Sequence, residues 1–292
     1  MVPIRPLQSG TWMRYGAYYA SRFLPHPLLR SGIVSVMRHV ISGRHGRGTP
    51  VHTPAAQATL KTLLDEGMAP VESPLSGAQI DEILAFLATA PVARPASPPV
   101  NADTKGLASA VYDLPTILAC PHLLDAMNHP TVLQVAAGFL GCKPTLSGAG
   151  LRWSFPSDGP HSDVQAFHRD AEDWKILRLF IYLTDVADDS GPHQFVKGSH
   201  KTAGRVRLAP YSDSDIDARF GRDQVATVYG ARGTAFMGNM WGVHRGVPPS
   251  RRPRLLFNCT YTMTATPIFR YDPVKLAAGH THDRYVNRLL VC

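Results

Sequence analysis

The sequence predicts a mainly β protein with helices at its N-terminal side, arranged as a sandwich or jelly roll. Apolar residues recur at helical spacing in the first half of the chain, whereas the second half consists of short β-type runs separated by Gly, Pro, Asp and Ser. Many short strands in succession are typical of sandwiches and jelly rolls. With 44% apolar residues in a chain of 292, the sequence has ample material for a packed core.

The N-terminal region is basic and amphipathic. Residues 1–64 contain eight Lys and Arg residues and no Asp or Glu, whereas the remaining 22 basic residues balance all 22 acidic ones. This asymmetry indicates an anionic partner for the region. A helix is predicted over 28–41, with an apolar and a polar face. The apolar face holds Leu29, Ile33, Val36, Met37, Val40 and Ile41, and the polar face holds Arg30, Ser31, Ser35 and Arg38.

We therefore predict a basic amphipathic N-terminal segment over residues 1–50 and a helix-buttressed jelly-roll domain over residues 51–292. The segment has three interpretations. It packs on the main domain, it lies at a membrane interface, or it is a mitochondrial transit peptide, which is also rich in Arg and poor in acidic residues. An aromatic run before the predicted helix suits the first two interpretations and consists of Trp12, Tyr15, Tyr18, Tyr19 and Phe23.

Two further helices are predicted ahead of the β-rich half. A capping box formed by Ser76 and Gln79 opens the first of them. After a Pro-rich connector at 91–101, Pro130 opens the second, which is expected to run to Leu140.

The β-rich half contains one run whose alternation is especially clear. Between 176 and 186, Leu177, Leu179, Ile181 and Leu183 fall on one face, which is expected to join the core, and the other face is expected to line a polar cavity. The five predicted strands are 148–155, 176–186, 225–229, 233–237 and 254–263.

A candidate metal site follows from His168 and Asp170, which lie two positions apart and therefore share one face of an extended strand. A third, distant histidine would complete a facial triad, which leaves three coordination positions open on Fe(II). His244 comes just after a predicted strand and is the candidate. His161-Ser162-Asp163 matches the same short pattern, but it follows a predicted turn.

Arg254 lies ten residues after His244, at the start of a predicted strand. A planar guanidinium at this point could clamp the distal carboxylate of a dicarboxylic co-substrate while the other end of that molecule chelates the metal.

These residues fall in an order that resembles the phytanoyl-CoA dioxygenase family of Fe(II)- and 2-oxoglutarate-dependent oxygenases. The resemblance covers roughly residues 75–262 and rests on the order and spacing of several pieces. They are Leu75-Ser76 through Leu87, Phe167-His168-Arg169-Asp170, Tyr182 through Val186, Ser190-Gly191-Pro192-His193 through Lys201, Gly233 through Met237 with His244-Arg245-Gly246, and Arg252-Pro253-Arg254.

The resemblance implies a double-stranded β-helix, a cupin-like jelly roll with Fe(II) at its mouth. His168, Asp170 and His244 would bind the iron and form the catalytic centre, and Arg254 and Tyr182 would contact 2-oxoglutarate. Reaction with O₂ would hydroxylate an unactivated C–H bond of a small-molecule or lipid-linked substrate and release succinate and CO₂. Because Asp170 is present, no coordination position is vacated for a halide, and hydroxylation is favoured over halogenation.

Several polar residues keep two interpretations. His193 stands where the family more often has an apolar residue, and it either faces the substrate or is a plain loop histidine. Arg152 and Arg178 either bind an anionic substrate or pair with carboxylates. His200 is interpreted as structural, and His280 and His282 as surface residues.

Other functional classes are weaker alternatives. A non-catalytic jelly-roll binding or sensing module would have no need of the clamp at Arg254. Nucleic-acid binding through the basic segment lacks a recognisable module. No apolar run is long enough to span a bilayer. The four cysteines form no CxxC pair, and this favours a location in the reducing cytoplasm. Peripheral contact with a membrane through residues 1–48 is a second prediction for the location of the protein.

Overall fold

The computed structural model describes residues 16, 19, 27–92, 108–157, 165–202, 209–267, 269–276 and 281–292. Within these ranges the α-helices are α1 (Pro27–His45), α2 (Pro54–Glu66), α3 (Gly77–Leu87), α4 (Leu114–Ala119), α5 (Leu123–Met127), α6 (Pro130–Leu140), α7 (Asp213–Arg219) and α8 (Arg284–Asn287). The strands are β1 (Met68–Val71), β2 (Ser109–Val111), β3 (Thr145–Ser154), β4 (Ile176–Tyr182), β5 (His193–Val196), β6 (Val225–Val228), β7 (Ala235–Asn239), β8 (His244–Gly246) and β9 (Arg254–Thr262).

The strands form two antiparallel sheets that face each other. The larger sheet has the order β1-β7-β4-β9-β3-β2, and the smaller has the order β6-β5-β8. Aromatic rings meet between the sheets. The centre of the Phe195 ring on β5 lies 6.3 Å from that of Phe180 on β4 and 6.1 Å from that of Phe236 on β7. The predicted jelly roll is confirmed, and we call the face of the larger sheet that turns toward the smaller one its inner face.

The outer face of the larger sheet packs against the helices. Leu177, Leu179 and Ile181 of β4 are fully buried in the main hydrophobic core, as their alternation predicts. The strand ends at Tyr182 rather than at 186, because the backbone beyond it leaves the ladder and Val186 pairs with Gly230.

The predicted helices are confirmed. The capping box of Ser76 and Gln79 is present in both directions at the start of α3. Pro130 is the first residue of α6, and Gly141 ends that helix in the left-handed conformation that glycine tolerates best.

Helix α1 packs on the main domain through a different face from the one predicted. Val34 and Ile41 are buried in the main core, and the guanidinium of Arg30 donates to the carbonyls of Asp173 and Trp174, both at 2.7 Å. The prediction that Arg30 lies on the outer, polar side is therefore wrong, because carbonyl oxygens of the domain satisfy its buried donors. The apolar residues left outside are Leu29, Val36 and Val40, which are 57%, 65% and 43% exposed.

The structure also bears on the first residues and on membrane spans. The aromatic run, apart from Tyr19, lies outside the described residues. No helix in the described ranges is long and apolar enough to cross a bilayer.

Candidate active site

The three predicted metal ligands come together between the two sheets. The segment carrying His168 pairs with the start of β8, and the backbones of His168 and His244 exchange hydrogen bonds of 2.9 and 3.0 Å. The backbone N–H of Asp170 donates to the carbonyl of Met240 at 2.9 Å. One ligand atom from each of the three side chains lies within 4.8 Å of the other two. Short backbone pairing thus holds side chains that are distant in sequence at one point.

Both imidazoles present the same nitrogen to this point. Nδ1 of His168 donates to the carbonyl of Ala166, and Nδ1 of His244 donates to the carbonyl of Gly242, each at 2.9 Å. Since a carbonyl can only accept, each Nδ1 carries the proton and each Nε2 keeps its lone pair. This is the arrangement by which neighbouring groups orient histidine ligands of a metal.

Asp170 completes the set as a carboxylate. Its Oδ1 lies 3.4 Å from Nε2 of His168, and its Oδ2 lies 3.8 Å from Nε2 of His244. Arg178 on β4 approaches Oδ2 to 3.1 Å, but the contact lacks hydrogen-bond geometry, so this buried oxygen keeps capacity to bind a cation.

The electrostatics of the three groups suit metal binding. Burial lowers the pKa of His244 to about 4, which keeps its imidazole neutral. Burial opposes ionisation of Asp170, but Arg178, His168 and His244 together bring its pKa below the ordinary value. Two nitrogens with free lone pairs and one carboxylate form the donor set that non-haem Fe(II) favours, so the residues fit the implied metal.

A second buried polar region lies beside the donor atoms. Arg254 begins β9 and is 5% exposed, yet its Nε and Nη1 atoms have no hydrogen-bond partner. Its Nη2 atom lies 3.4 Å from the point where a Cβ on Gly246 would stand. Gly246 is two residues beyond His244 on the same strand, a step of about 7 Å. A five-carbon dicarboxylate can bridge that span, so the orphaned guanidinium fits the distal carboxylate of 2-oxoglutarate.

Tyr182 and His193 support this region through one hydroxyl group. The Tyr182 hydroxyl donates to the carbonyl of Val228 at 3.0 Å and accepts from the backbone N–H of His193 at 3.0 Å. Nδ1 of His193 lies 3.3 Å from the same oxygen and must therefore be its donor, which leaves Nε2 as an acceptor. Burial, aided by Arg254, keeps the pKa of His193 well below its ordinary value. His193 is thus a neutral, buried residue of β5 rather than a loop residue.

The remaining sequence candidates contact neighbouring residues away from the three ligands or lie outside the described residues. His200 contacts the carbonyl of Leu64 at 3.0 Å, and His282 pairs with Asp125 at 2.9 Å, in agreement with their structural and surface interpretations. His161, Asp163 and His280 lie outside the described residues.

Two arginines make contacts around the site. Arg178 pairs with Asp170, which is the second of its two interpretations, and the alternation of β4 places Arg178 on the inner face together with Tyr182. Arg169, between the two ligands of the HxD pattern, donates to the carbonyls of Trp241 and Ser199 and so ties three loops together. Nothing in the sequence pattern distinguishes Arg169 from an exposed arginine.

A comparison of the sequence with models of known protein families gives one match that covers the predicted metal ligands. The sequence model for the phytanoyl-CoA dioxygenase (PhyH) family matches residues 63–253, a range that includes His168, Asp170 and His244 and ends one residue before Arg254. No curated protein matched the chain in a sequence search.

Solved structures with a similar fold were also found. The epimerase SnoN in complex with Fe3+, alpha ketoglutarate and nogalamycin RO has 20% identity and a TM-score of 0.54, over 79% of this chain and 97% of that one. The carbocyclase SnoK from nogalamycin biosynthesis has 16% identity and a TM-score of 0.51, over 72% and 86%. HygX from Streptomyces hygroscopicus, with nickel and 2-oxoglutarate bound, has 15% identity and a TM-score of 0.50, over 77% and 92%. At these identities the likeness concerns the fold.

Proposed function

The chain belongs to the phytanoyl-CoA dioxygenase family of Fe(II)- and 2-oxoglutarate-dependent oxygenases, and on that premise we propose that it hydroxylates an unactivated C–H bond of a small-molecule or lipid-linked substrate. The observation that carries the proposal is the convergence of ligand atoms from His168, Asp170 and His244 within 4.8 Å of one another. These three side chains are the proposed iron ligands, and a set of three would leave coordination positions available for 2-oxoglutarate and O₂.

The chain's own residues would divide the work around the iron. When bound, the iron supplies activation of O₂, coupled to the decarboxylation of 2-oxoglutarate to succinate and CO₂. Arg254 holds the distal carboxylate of 2-oxoglutarate by a charge-assisted contact in a buried setting. Tyr182 supports that end of the site, because its hydroxyl fixes the backbone and ring of His193 beside Arg254. Phe180 and Phe236, whose rings stack 5.0 Å apart, keep water from this part of the inner face.

Hydroxylation is proposed over halogenation because Asp170 is a carboxylate whose oxygens face the two histidines. A halide ligand would need the coordination position that this carboxylate takes.

The alternative is a non-catalytic jelly-roll module that keeps a metal site for binding or sensing. The unpartnered donors of buried Arg254 speak against it, since a cation buried without a partner destabilises the fold and is retained for a ligand.

The test is an anaerobic titration of Fe(II) and 2-oxoglutarate into the metal-free protein, followed through the weak visible charge-transfer band that forms when both bind. The band should form in the wild type, disappear in His168→Ala, and require much more 2-oxoglutarate in Arg254→Ala. His161→Ala is the control for the second HxD pattern and should keep the band. A wild-type protein with no band would contradict the proposal and favour the binding module.

The proposed partner of the N-terminal segment is an anionic membrane surface. Residues 1–64 hold eight basic side chains and no acidic one, and α1 exposes Leu29, Val36 and Val40 on the side away from the domain. Apolar side chains beside basic ones suit the interface of an acidic bilayer. Replacing all three with Ser should abolish flotation with vesicles containing phosphatidylserine, whereas deleting residues 1–48 would also remove core residues. Equal flotation of the Ser variant and the wild type would refute the contact.

A further inference from the structure

The inner face of the larger sheet carries three arginines, and they differ in their partners. Arg178 pairs with Asp170 at 3.1 Å and donates from Nε to the hydroxyl of Thr260 at 3.1 Å. Arg254 has no described partner for Nε and Nη1. Arg152 donates from Nη2 to the hydroxyl of Ser109 at 3.0 Å, and its buried Nε has no partner. Among the described residues, no carboxylate lies within ion-pair distance of Arg152 or Arg254.

Arg152 and Arg254 are close neighbours. In the register of β3 and β9, Arg152 is opposite Leu256 and Arg254 is opposite Ser154, so the two arginines lie diagonally across one strand pair on one face. Burial is the main reason why the pKa of Arg254 falls to about 10, and the charge of Arg152 acts in the same direction. The buried charge of Arg254 and the half-buried charge of Arg152 repel each other, and one carboxylate at Arg254 leaves Arg152 uncompensated.

Two glycines precede Arg152 on the inner face of the same strand. The inward positions that precede it on β3 are Gly148 and Gly150, where other residues would place side chains. A Cβ on Gly148 would meet nothing nearer than Thr260 at 3.8 Å, and a Cβ on Gly150 would stand 2.9 Å from the amide nitrogen of Asn258. The amide of Asn258 therefore lies over Gly150, with no hydrogen-bond partner among the described residues. We call this strip of Gly148, Gly150 and Asn258 the glycine shelf.

From these observations we infer that the substrate is an anion and that Arg152 binds its carboxylate or phosphate group, with the rest of the molecule lying along the glycine shelf toward the iron ligands. The inference rests on the proposed function, since it assumes that 2-oxoglutarate takes Arg254. An arginine held at one end by a hydroxyl and free at Nε can offer a second donor to an anion. Asn258 adds a neutral polar contact for the part of the substrate that crosses the shelf.

The test uses inorganic phosphate and acetate as probes, titrated by calorimetry into the Fe(II)-loaded protein, without oxygen and with saturating 2-oxoglutarate. At least one probe should bind the wild type, and the stronger of the two identifies the anion class. Arg152→Gln should bind that probe roughly tenfold more weakly, as the loss of one charge-assisted contact predicts. Arg152→Lys should retain part of the affinity, and Arg270→Gln, which removes the same charge from an exposed side chain, should retain all of it.

A parallel titration separates this site from the co-substrate site. Arg152→Gln should leave the 2-oxoglutarate Kd within about twofold of the wild type, whereas Arg254→Gln should raise it strongly. If Arg152→Gln fails to fold, Ser109→Ala serves in its place, because it frees the Arg152 guanidinium and should weaken probe binding several-fold.

The inference would be overturned if the wild type and the Arg152 or Ser109 variant bound the probe equally well. It would also be overturned if Arg152→Gln raised the 2-oxoglutarate Kd as much as Arg254→Gln does. Absence of the charge-transfer band in the wild type would instead count against the proposed function. The same probe comparison in metal-free protein would then decide the role of Arg152.

Discussion

The guanidinium carbon of Arg30 lies 4.0 Å over the ring of Trp241. The two residues are 211 positions apart in the sequence, and the contact joins α1 to the loop that leads into β8 and His244. The same guanidinium carbon lies 5.4 Å from the centre of the ring of Trp174, whose carbonyl accepts a hydrogen bond from Arg30. The N-terminal helix therefore touches both segments that carry the proposed iron ligands.

Replacing Arg30 with Met, a side chain of similar length, should loosen these segments. The change removes two hydrogen bonds to carbonyls and the cation that lies over the ring of Trp241. We expect a loss of about 2–4 kcal/mol in the free energy of unfolding and weaker Fe(II) binding. Urea denaturation and the anaerobic charge-transfer titration measure the two effects. Arg38→Met is the matched control, since Arg38 on the same helix makes one long hydrogen bond from an exposed position. Equal behaviour of the two variants would contradict a role for Arg30.

Stability should decrease with rising pH through Asp173. Burial raises the pKa of this carboxyl to about 7, whereas the pKa of an aspartate in the unfolded chain is about 3.9. Between these values the folded chain keeps a proton that the unfolded chain releases, so the free energy of unfolding falls across this window and levels off above it. The total change is on the order of a few kcal/mol.

Urea denaturation of the wild type and Asp173→Asn, from about pH 5 to about pH 8, measures this change. The Asn variant should lack the decline, and Asp272→Asn, at an exposed position, should keep it. Parallel pH profiles for the wild type and Asp173→Asn would contradict the assignment.

Two glycines in the loops around β5 should respond differently to substitution with Ala. Gly191 and Gly198 have φ values of +74° and +69°, so each substitution brings about 1 kcal/mol of backbone strain. A Cβ at Gly191 would also stand 2.3 Å from the carbonyl oxygen of Val247, whereas a Cβ at Gly198 would meet nothing within 4 Å. We expect Gly191→Ala to destabilise the fold far more than Gly198→Ala, which thermal unfolding measures. Similar losses would mean that the approach of Val247 is not rigid.

Metal ions should stabilise the fold through the His168, Asp170 and His244 site. A ligand that binds only the folded state at a concentration one hundred times its Kd adds about 2.7 kcal/mol. Fe(II) without oxygen, or Co(II) as a stable substitute, should therefore raise the Tm of the wild type and leave that of His244→Ala unchanged. His200→Ala is the control, because it removes an exposed hydrogen bond to the carbonyl of Leu64 and leaves the three ligands in place. A metal-induced shift that survives in His244→Ala would place the metal elsewhere.

The sequence predicted the fold well where elements are long enough to show a period. The alternation of β4 and the capping box of α3 are local features, and both appear in the structure. Strands β1, β5 and β8 span three or four residues, too few for a pattern to emerge, which is why His193 was not predicted to lie on a strand.

The sequence predicted that His168, Asp170 and His244 would come together, but it did not predict the residues that surround them. His168 and Asp170 could be paired from their spacing, since two positions on an extended segment share a face. The partners of Arg30, Arg152 and Arg178 come from strands or loops distant in sequence, and charge alone could not choose between solvent, a carboxylate and a carbonyl.

The match to the family ends at residue 253, and β9 begins at the next residue. In the sheet this strand lies between β4 and β3, so it divides the larger sheet into two groups of strands that have no other hydrogen-bonded link. The matched range, residues 63–253, therefore lacks a central strand of the larger sheet and is not a unit that we expect to fold by itself. A shortened protein ending at Pro253 would leave β2 and β3 as a separate two-stranded fragment and would expose the edges of β3 and β4 to pairing with other chains.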